Sequence, residues 1–218
     1  MARAPIPERS RWRKAAGWIV AAALLLALFP PFHIRPRDAV GVQHGGAGAL
    51  DVPAVAERFW SEKLLGPGVA PVDAQLLVAA LVQDPAQAVE KYGRRAGVGG
   101  KTFFLASGTG HIASADHRGA LIEVGGSESP RILLLTGPVF GNALRDVTGL
   151  LSRSDYRPAD FDALSTALDR LAETRAQPTL RALGVGASIS FLAAGEIDDA
   201  SQAVPVLRLA PIRVEGHP

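Results

Sequence analysis

Cysteine is absent from the 218 residues. That excludes a disulfide framework, a thiolate metal site, a cysteine nucleophile and a thioether-linked lipid. Aromatic residues are scarce at 6%, and methionine occurs once. Charged residues make up 20% against 48% hydrophobic ones, too apolar a balance for a wholly disordered chain. The 23 glycines and 16 prolines mark many turns rather than a collagen-like rod. The length suits one domain of ordinary size with a tail, or two small ones.

Positive charge is scarce outside the N-terminus. The formal net charge is +2, yet residues 1–37 hold seven Arg and Lys against the single acid Glu8. The remainder is therefore mildly acidic. Affinity for a phosphate backbone comes from clustered Lys and Arg, so no nucleic-acid partner is expected.

What is there begins with a membrane segment. Five cations between Arg3 and Lys14 precede an apolar run from Ala15 to Phe29, and Pro30 and Pro31 end it. Fifteen helical residues rise about 22 Å. Extension to Ile34, with snorkelling cations, brings the run close to the roughly 30 Å hydrocarbon core. Leading cations hold the N-terminus in the cytoplasm and send the body across. No small-x-small site follows the run directly. Residues 1–34 thus read as an uncleaved signal anchor in a bacterial inner membrane, single-pass, with the C-terminal body in the periplasm. A cleaved secretory signal shares the layout and is the alternative. Residues 35–50, rich in glycine, read as a linker.

The body reads as helices and then strands. Asp51, Asp73 and Asp84 each precede an apolar helical pattern and suit an N-cap. In the second helix Leu76, Leu77, Ala80 and Leu81 make the buried face. These helices form a subdomain over residues 51–100. Strand-type runs then follow over 102–115, bent at Gly108-Thr109-Gly110, and over 120–124 and 131–136. A helix spans 158–175, with Phe161, Leu164, Leu168 and Leu171 inward and Asp162, Thr166, Asp169 and Arg170 in water. Strands 188–192 and 204–214 close the chain, and Pro205 and Pro211 argue for an edge or a bulge. The class is α+β. Residues 101–214 have the element order of a five-stranded antiparallel OB-like β-barrel with an inserted helix, an order that other α+β sandwiches share.

Certain residues carry a family resemblance. Phe59-Trp60, the stretch from Asp84-Pro85 to Arg94-Arg95, Gly108-Thr109-Gly110, and above all Thr136 through Asp146 resemble the predicted periplasmic lipoprotein family of unknown function. The likeness covers about residues 52–210. It implies an envelope protein with an undefined, transport-linked role, since members are often encoded beside sugar ABC transporters. The family name implies an anchor cysteine, and this chain has none.

The strongest candidate site lies in 137–149. Gly137 and Gly141 permit close backbone approach, Asn142 and Asp146 offer hydrogen-bond acceptors, and Arg145 supplies a fork-shaped cation. The alternative is that Arg145 and Asp146 are structural and pair with each other or with backbone. Gly108 and Thr109 line a ligand mouth or form the bend of a curved strand. His111 and His117 bracket a hairpin but lack a third ligand at a recognisable spacing, so no metal or other cofactor is expected. Serines 107, 114, 188 and 190 lack a nucleophile elbow, and Glu196, Asp198 and Asp199 read as a solvated acidic turn. An enzyme is therefore not expected. The reading is a membrane-anchored periplasmic binding or accessory protein, linked to small-molecule (sugar) uptake and to an envelope or transporter partner. The alternative is a structural envelope protein that acts through protein–protein contacts.

Overall fold

The computed structural model describes residues 50–95, 101–125, 131–198 and 206–217. The expected anchor and the linker up to residue 49 lie outside the described residues, as do Pro205 and Asp199. Among the described residues, no helix is long and apolar enough to cross a membrane.

Aspartates start the first three helices. Asp51 accepts a hydrogen bond from Ala54 N at 3.1 Å and opens α1 (Val52–Phe59), which runs on as a π-helical turn over Trp60–Leu64. Asp73 caps α2 (Ala74–Gln83) through Leu76 N, and Asp84 caps α3 (Pro85–Tyr92) through Gln87 N, both at 3.0 Å. Each carboxylate satisfies a first-turn N–H that the helix itself leaves free. On α2 the buried stripe is Ala74, Leu77, Val78 and Leu81, whereas Leu76 is 59% exposed. That helix is apolar nearly all round, so spacing alone does not choose the face.

Two-residue strands β1 (Val72–Asp73) and β2 (Arg94–Arg95) flank the long β3 (Thr102–Ala115). β3 is one strand through Gly108-Thr109-Gly110. Glycine is required at 108 because a Cβ there would lie 2.8 Å from the Ala74 Cβ. β3 pairs with β4 (Gly119–Glu123), β4 with β5 (Arg131–Leu135), β5 with β7 (Val206–His217), β7 with β6 (Ser188–Ile197), and β6 with β3 again. The pairings of the five long strands therefore return on themselves. Four of the five are antiparallel, but β5 and β7 run parallel, Ile132 opposite Leu207. This corrects the all-antiparallel expectation. No hairpin joins those two strands; the stretch 136–205 separates them, long enough for a crossover.

Within that stretch stand α4 (Ala143–Asp146) and α5 (Pro158–Leu171). α5 does not stop at 175: a π-helical turn, Ala172–Ala176, leads directly into α6 (Gln177–Ala182). The wider turn carries the chain past Pro178, which has no N–H to donate.

Strand alternation builds two cores. Phe104 and Ala106 of β3, Ile122 of β4, Leu134 of β5, Phe191 of β6 and Leu209 of β7 share one cluster with α2 and α3. Phe103, Leu105, Leu192, Ala194 and Ile212 face the other way and meet α1, α4 and α5, with Trp60, Leu164 and Leu168 fully buried. In β7 the facing switches at a register shift, where Leu192 opposes Arg213 and Ala193 opposes Pro211, so Ile212 is the extra residue of a bulge. Pro211 thus sits at a bulge, not at an edge. Residues 50–218 make one compact unit. The helices of 51–100 divide between its two cores and do not form a body of their own.

Candidate functional site

The loop from Thr136 to Asn142 is laid along α5 and α6 by polar contacts. Arg181 donates to the Thr136 carbonyl, and Gln177, fully buried, donates from Nε2 to Gly137 O at 2.7 Å. Val139 N donates to Glu173 Oε1 at 2.8 Å. Ser165 Oγ lies 2.8 Å from Gly141 O and 3.0 Å from Asn142 Oδ1, and its one proton serves these two acceptors. Gly141 has φ +119°, a conformation that L side chains rarely adopt. These bonds fix the loop against the helices, and a groove lies between it and the polar face of α5.

The groove comprises two neighbouring cavities that share wall residues. One, about 470 Å³, lies between the loop and the polar face of α5, with Asn142, Asp162, Ser165 and Glu173 in its walls. The other, about 320 Å³, reaches the ends of β6 and β7, where Glu196, Asp198 and Arg208 line it. Val139, Phe140 and Asp169 belong to both. Phe140 is 85% exposed, an apolar ring standing at the mouth.

Asp169 departs most from expectation. It reads as a wet residue of α5, yet it is 8% exposed. The covering loop is the cause. Among the described residues it has no hydrogen-bond partner. Burial pushes its carboxyl up to about 7, and the charges of Glu173 and Glu196 push the same way, against the pull of Arg145. Across the groove, Glu196 accepts from Lys101 Nζ at 2.6 Å through Oε1, while its Oε2 is inaccessible and has no partner. Lys101 also lies 3.1 Å from Asp198 Oδ1. The bond to Glu196 leads in raising the Lys101 ammonium above its ordinary range. Glu196 is a residue of β6 and stands opposite Phe103, not in a solvated turn.

Of the residues singled out in 137–149, Gly141 and Asn142 line the groove. Gly137 holds the loop through its carbonyl. Arg145 and Asp146 are buried behind it, 5% and 9% exposed, and are paired with each other. Arg145 donates from Nε to Asp146 Oδ1 at 2.7 Å and from Nη2 to Oδ2 at 2.9 Å. Its Nη1 donates to Phe161 O at 3.2 Å, and the guanidinium lies 3.8 Å over the Phe161 ring. These donors serve the fold. Gly108 and Thr109 stand opposite Phe191 and Ser190, several residues along the sheet from Glu196, so the structure does not bring them to the groove. His111 Nδ1 meets Ser188 Oγ at 3.2 Å. Among the described residues, no three His, Asp or Glu side chains are arranged to hold a metal ion.

Ser165, Asp169 and Glu173 were legible only as polar positions four apart on one helix, which puts them on one face. Nothing local to them announces the loop above.

The arrangement has solved and sequence relatives. The crystal structure of an OB-fold protein from Thermotoga maritima aligns with a TM-score of 0.68 at 21% identity, covering 78% of this chain and 100% of that one. At that identity the likeness shows the fold, which agrees with the strand order found here. No curated protein matches the sequence. The model of the DUF2291 family, described as predicted periplasmic lipoproteins, matches residues 19–215, and with this extent of match the chain belongs to that family, although its 218 residues contain no cysteine to acylate.

Proposed function

We propose that the protein is a membrane-anchored periplasmic binding module that serves small-molecule uptake, with sugars and polyols as its ligand class. The peptide segment over residues 15–34 supplies the anchor in this reading, in place of the lipid. The observation that carries it is Asp169, buried without a partner beneath a loop whose exposed Phe140 stands at the mouth of the same groove. Carboxylate oxygens accept from sugar hydroxyls, and an aromatic ring covers the apolar face of a pyranose. Ser165, the hydroxyl nearest Asn142, is engaged with Gly141 and Asn142 and has no general base as partner, which supports binding over catalysis. A transporter component in the same membrane is the proposed partner.

A thermal-shift screen of the full chain against sugars, polyols and anions tests this. A ligand that binds only the folded state raises the melting temperature with dose. The expected result is a shift with one sugar or polyol class that Phe140→Ala diminishes without altering the unliganded melting temperature. No shift across the panel would overturn the reading in favour of protein–protein contacts.

A further inference from the structure

Two carboxylates at the groove lack a full set of donors. Asp169 of α5, 8% exposed, has no hydrogen-bond partner among the described residues and turns its open oxygens to the groove, and Glu196 of β6 keeps Oε2 sealed in the wall without a donor. Unsatisfied buried acceptors are rare in native proteins, and one explanation is a partner that arrives from outside. The charge around them is also one-sided. From α5 come Asp162 and Asp169, from the π-helical turn after it Glu173, from the end of β6 Glu196, and from just beyond it Asp198. Against them stand Arg170 of α5 and Arg208 of β7. Two further cations nearby are already engaged, Lys101 with Glu196 and Asp198, and Arg145 with Asp146 and, at 3.7 Å, with Asp162.

A neutral hydroxyl satisfies one acceptor and leaves the charge. An ammonium offers three donors and a positive charge at a single atom. The described side chains do not form a metal-binding trio. The groove is also larger than a bare cation needs, and its outer walls offer Asn142, Thr166 and the Phe140 ring. We infer that the ligand of this groove is a hydroxyl-rich molecule bearing a protonated amine, an amino sugar or amino polyol, with the amine seated on Asp169 in the field of Glu196. This rests on the binding role proposed above and narrows its ligand class.

Proton linkage follows from the same geometry. An ammonium favours the ionised form of Asp169, whose carboxyl sits at about 7 in the empty groove. Binding therefore releases a proton near neutral pH. Between pH 8 and pH 6 the affinity should fall about tenfold as the empty site takes up that proton.

The test compares 1-amino-1-deoxyglucitol with glucitol by titration calorimetry on the full chain. The expected result at pH 8 is at least about tenfold tighter binding of the amine, equal to one ionic hydrogen-bonded contact. Asp169→Asn should abolish that preference, and Glu196→Gln should reduce it independently. Running the titration in buffers of different ionisation enthalpy should register the released proton. Equal affinity for the two compounds would overturn the inference and leave the polyol-binding role standing. A preference that survives both substitutions would overturn the placement in this groove. Failure of both compounds and of the whole sugar panel would overturn the inference and the binding role together.

Discussion

Replacing Arg145 by methionine separates a structural guanidinium from a ligand-binding one. The side chains of Arg145 and Asp146 are 6% and 11% exposed, and two short bonds join them as a fork. Methionine keeps most of the volume and leaves Asp146 as a buried carboxylate without its donors. Removing one member of such a pair costs about 3–5 kcal/mol, because the survivor is desolvated and unpaired. The lost stacking on Phe161, 3.8 Å away, adds about 1 kcal/mol. For a chain of this size each kcal/mol moves the melting temperature by about 2–4 °C, so the variant should melt about 8–24 °C lower. Arg145→Lys should fall between, since an ammonium cannot reproduce the two parallel bonds. The double variant Arg145→Met with Asp146→Leu should recover most of the loss, because a well-packed apolar pair often matches a buried ion pair. Urea unfolding of the full chain, followed by far-UV circular dichroism, measures these proteins together with the single variant Asp146→Leu, and the cycle of parent, two singles and double gives the coupling between the two residues. An unchanged unfolding midpoint in Arg145→Met, together with loss of a ligand-induced shift, would refute this reasoning and return Arg145 to the binding site.

Three further outcomes follow from the same packing. Asp169→Asn should stabilise the protein above pH 7 and have no effect near pH 4. The folded-state carboxyl is raised to about 7 from 3.8, so the parent loses stability as pH climbs through that window and the amide does not. Three units at about 1.4 kcal/mol each set a ceiling of about 4 kcal/mol, which water in the open groove lowers; melting curves at the two pH values decide it. Leu164→Ala, at a fully buried position between α5 and the sheet, should cost about 2–5 kcal/mol in the same urea assay, whereas a cost under 1 would mean that the second core is loosely packed. Gly141→Ala should cost about 1–3 kcal/mol, because φ +119° strains any L side chain, and it should disturb the loop above the groove before the cores.

Much of the framework was legible because it rests on local chemistry. The caps Asp51, Asp73 and Asp84 are carboxylates placed just before apolar periodic segments, and each does make the expected bond to a first-turn N–H. The strand runs and the turns between them follow from alternation and turn residues, and the order helices, three strands, helix, two strands belongs to the fold found here. Pairing partners are not local. The parallel contact of β5 with β7 depends on how a chain of many residues returns, and no residue in either strand records it.

The groove shows the same limit more sharply. Taken alone, α5 has a polar face, residues 137–142 are a glycine loop, and 196–199 carry three acids. Each of those readings holds for a segment in water. Their meaning changes once Ser165, Glu173 and Gln177 bind the loop through Gly141 O, Val139 N and Gly137 O, because the loop then takes water away from Asp169. β6 meanwhile carries Glu196 to the same place from the opposite side. Three segments that are unremarkable as solvated pieces thus become a site by desolvating one another. Arg145 illustrates the converse: its fork suits a ligand carboxylate, but the nearest carboxylate is its own neighbour, and burial beside the Phe161 ring commits it there. Residue type and spacing are enough to propose a binding cation. Which carboxylates remain free to bind is decided only by what the fold has already paired.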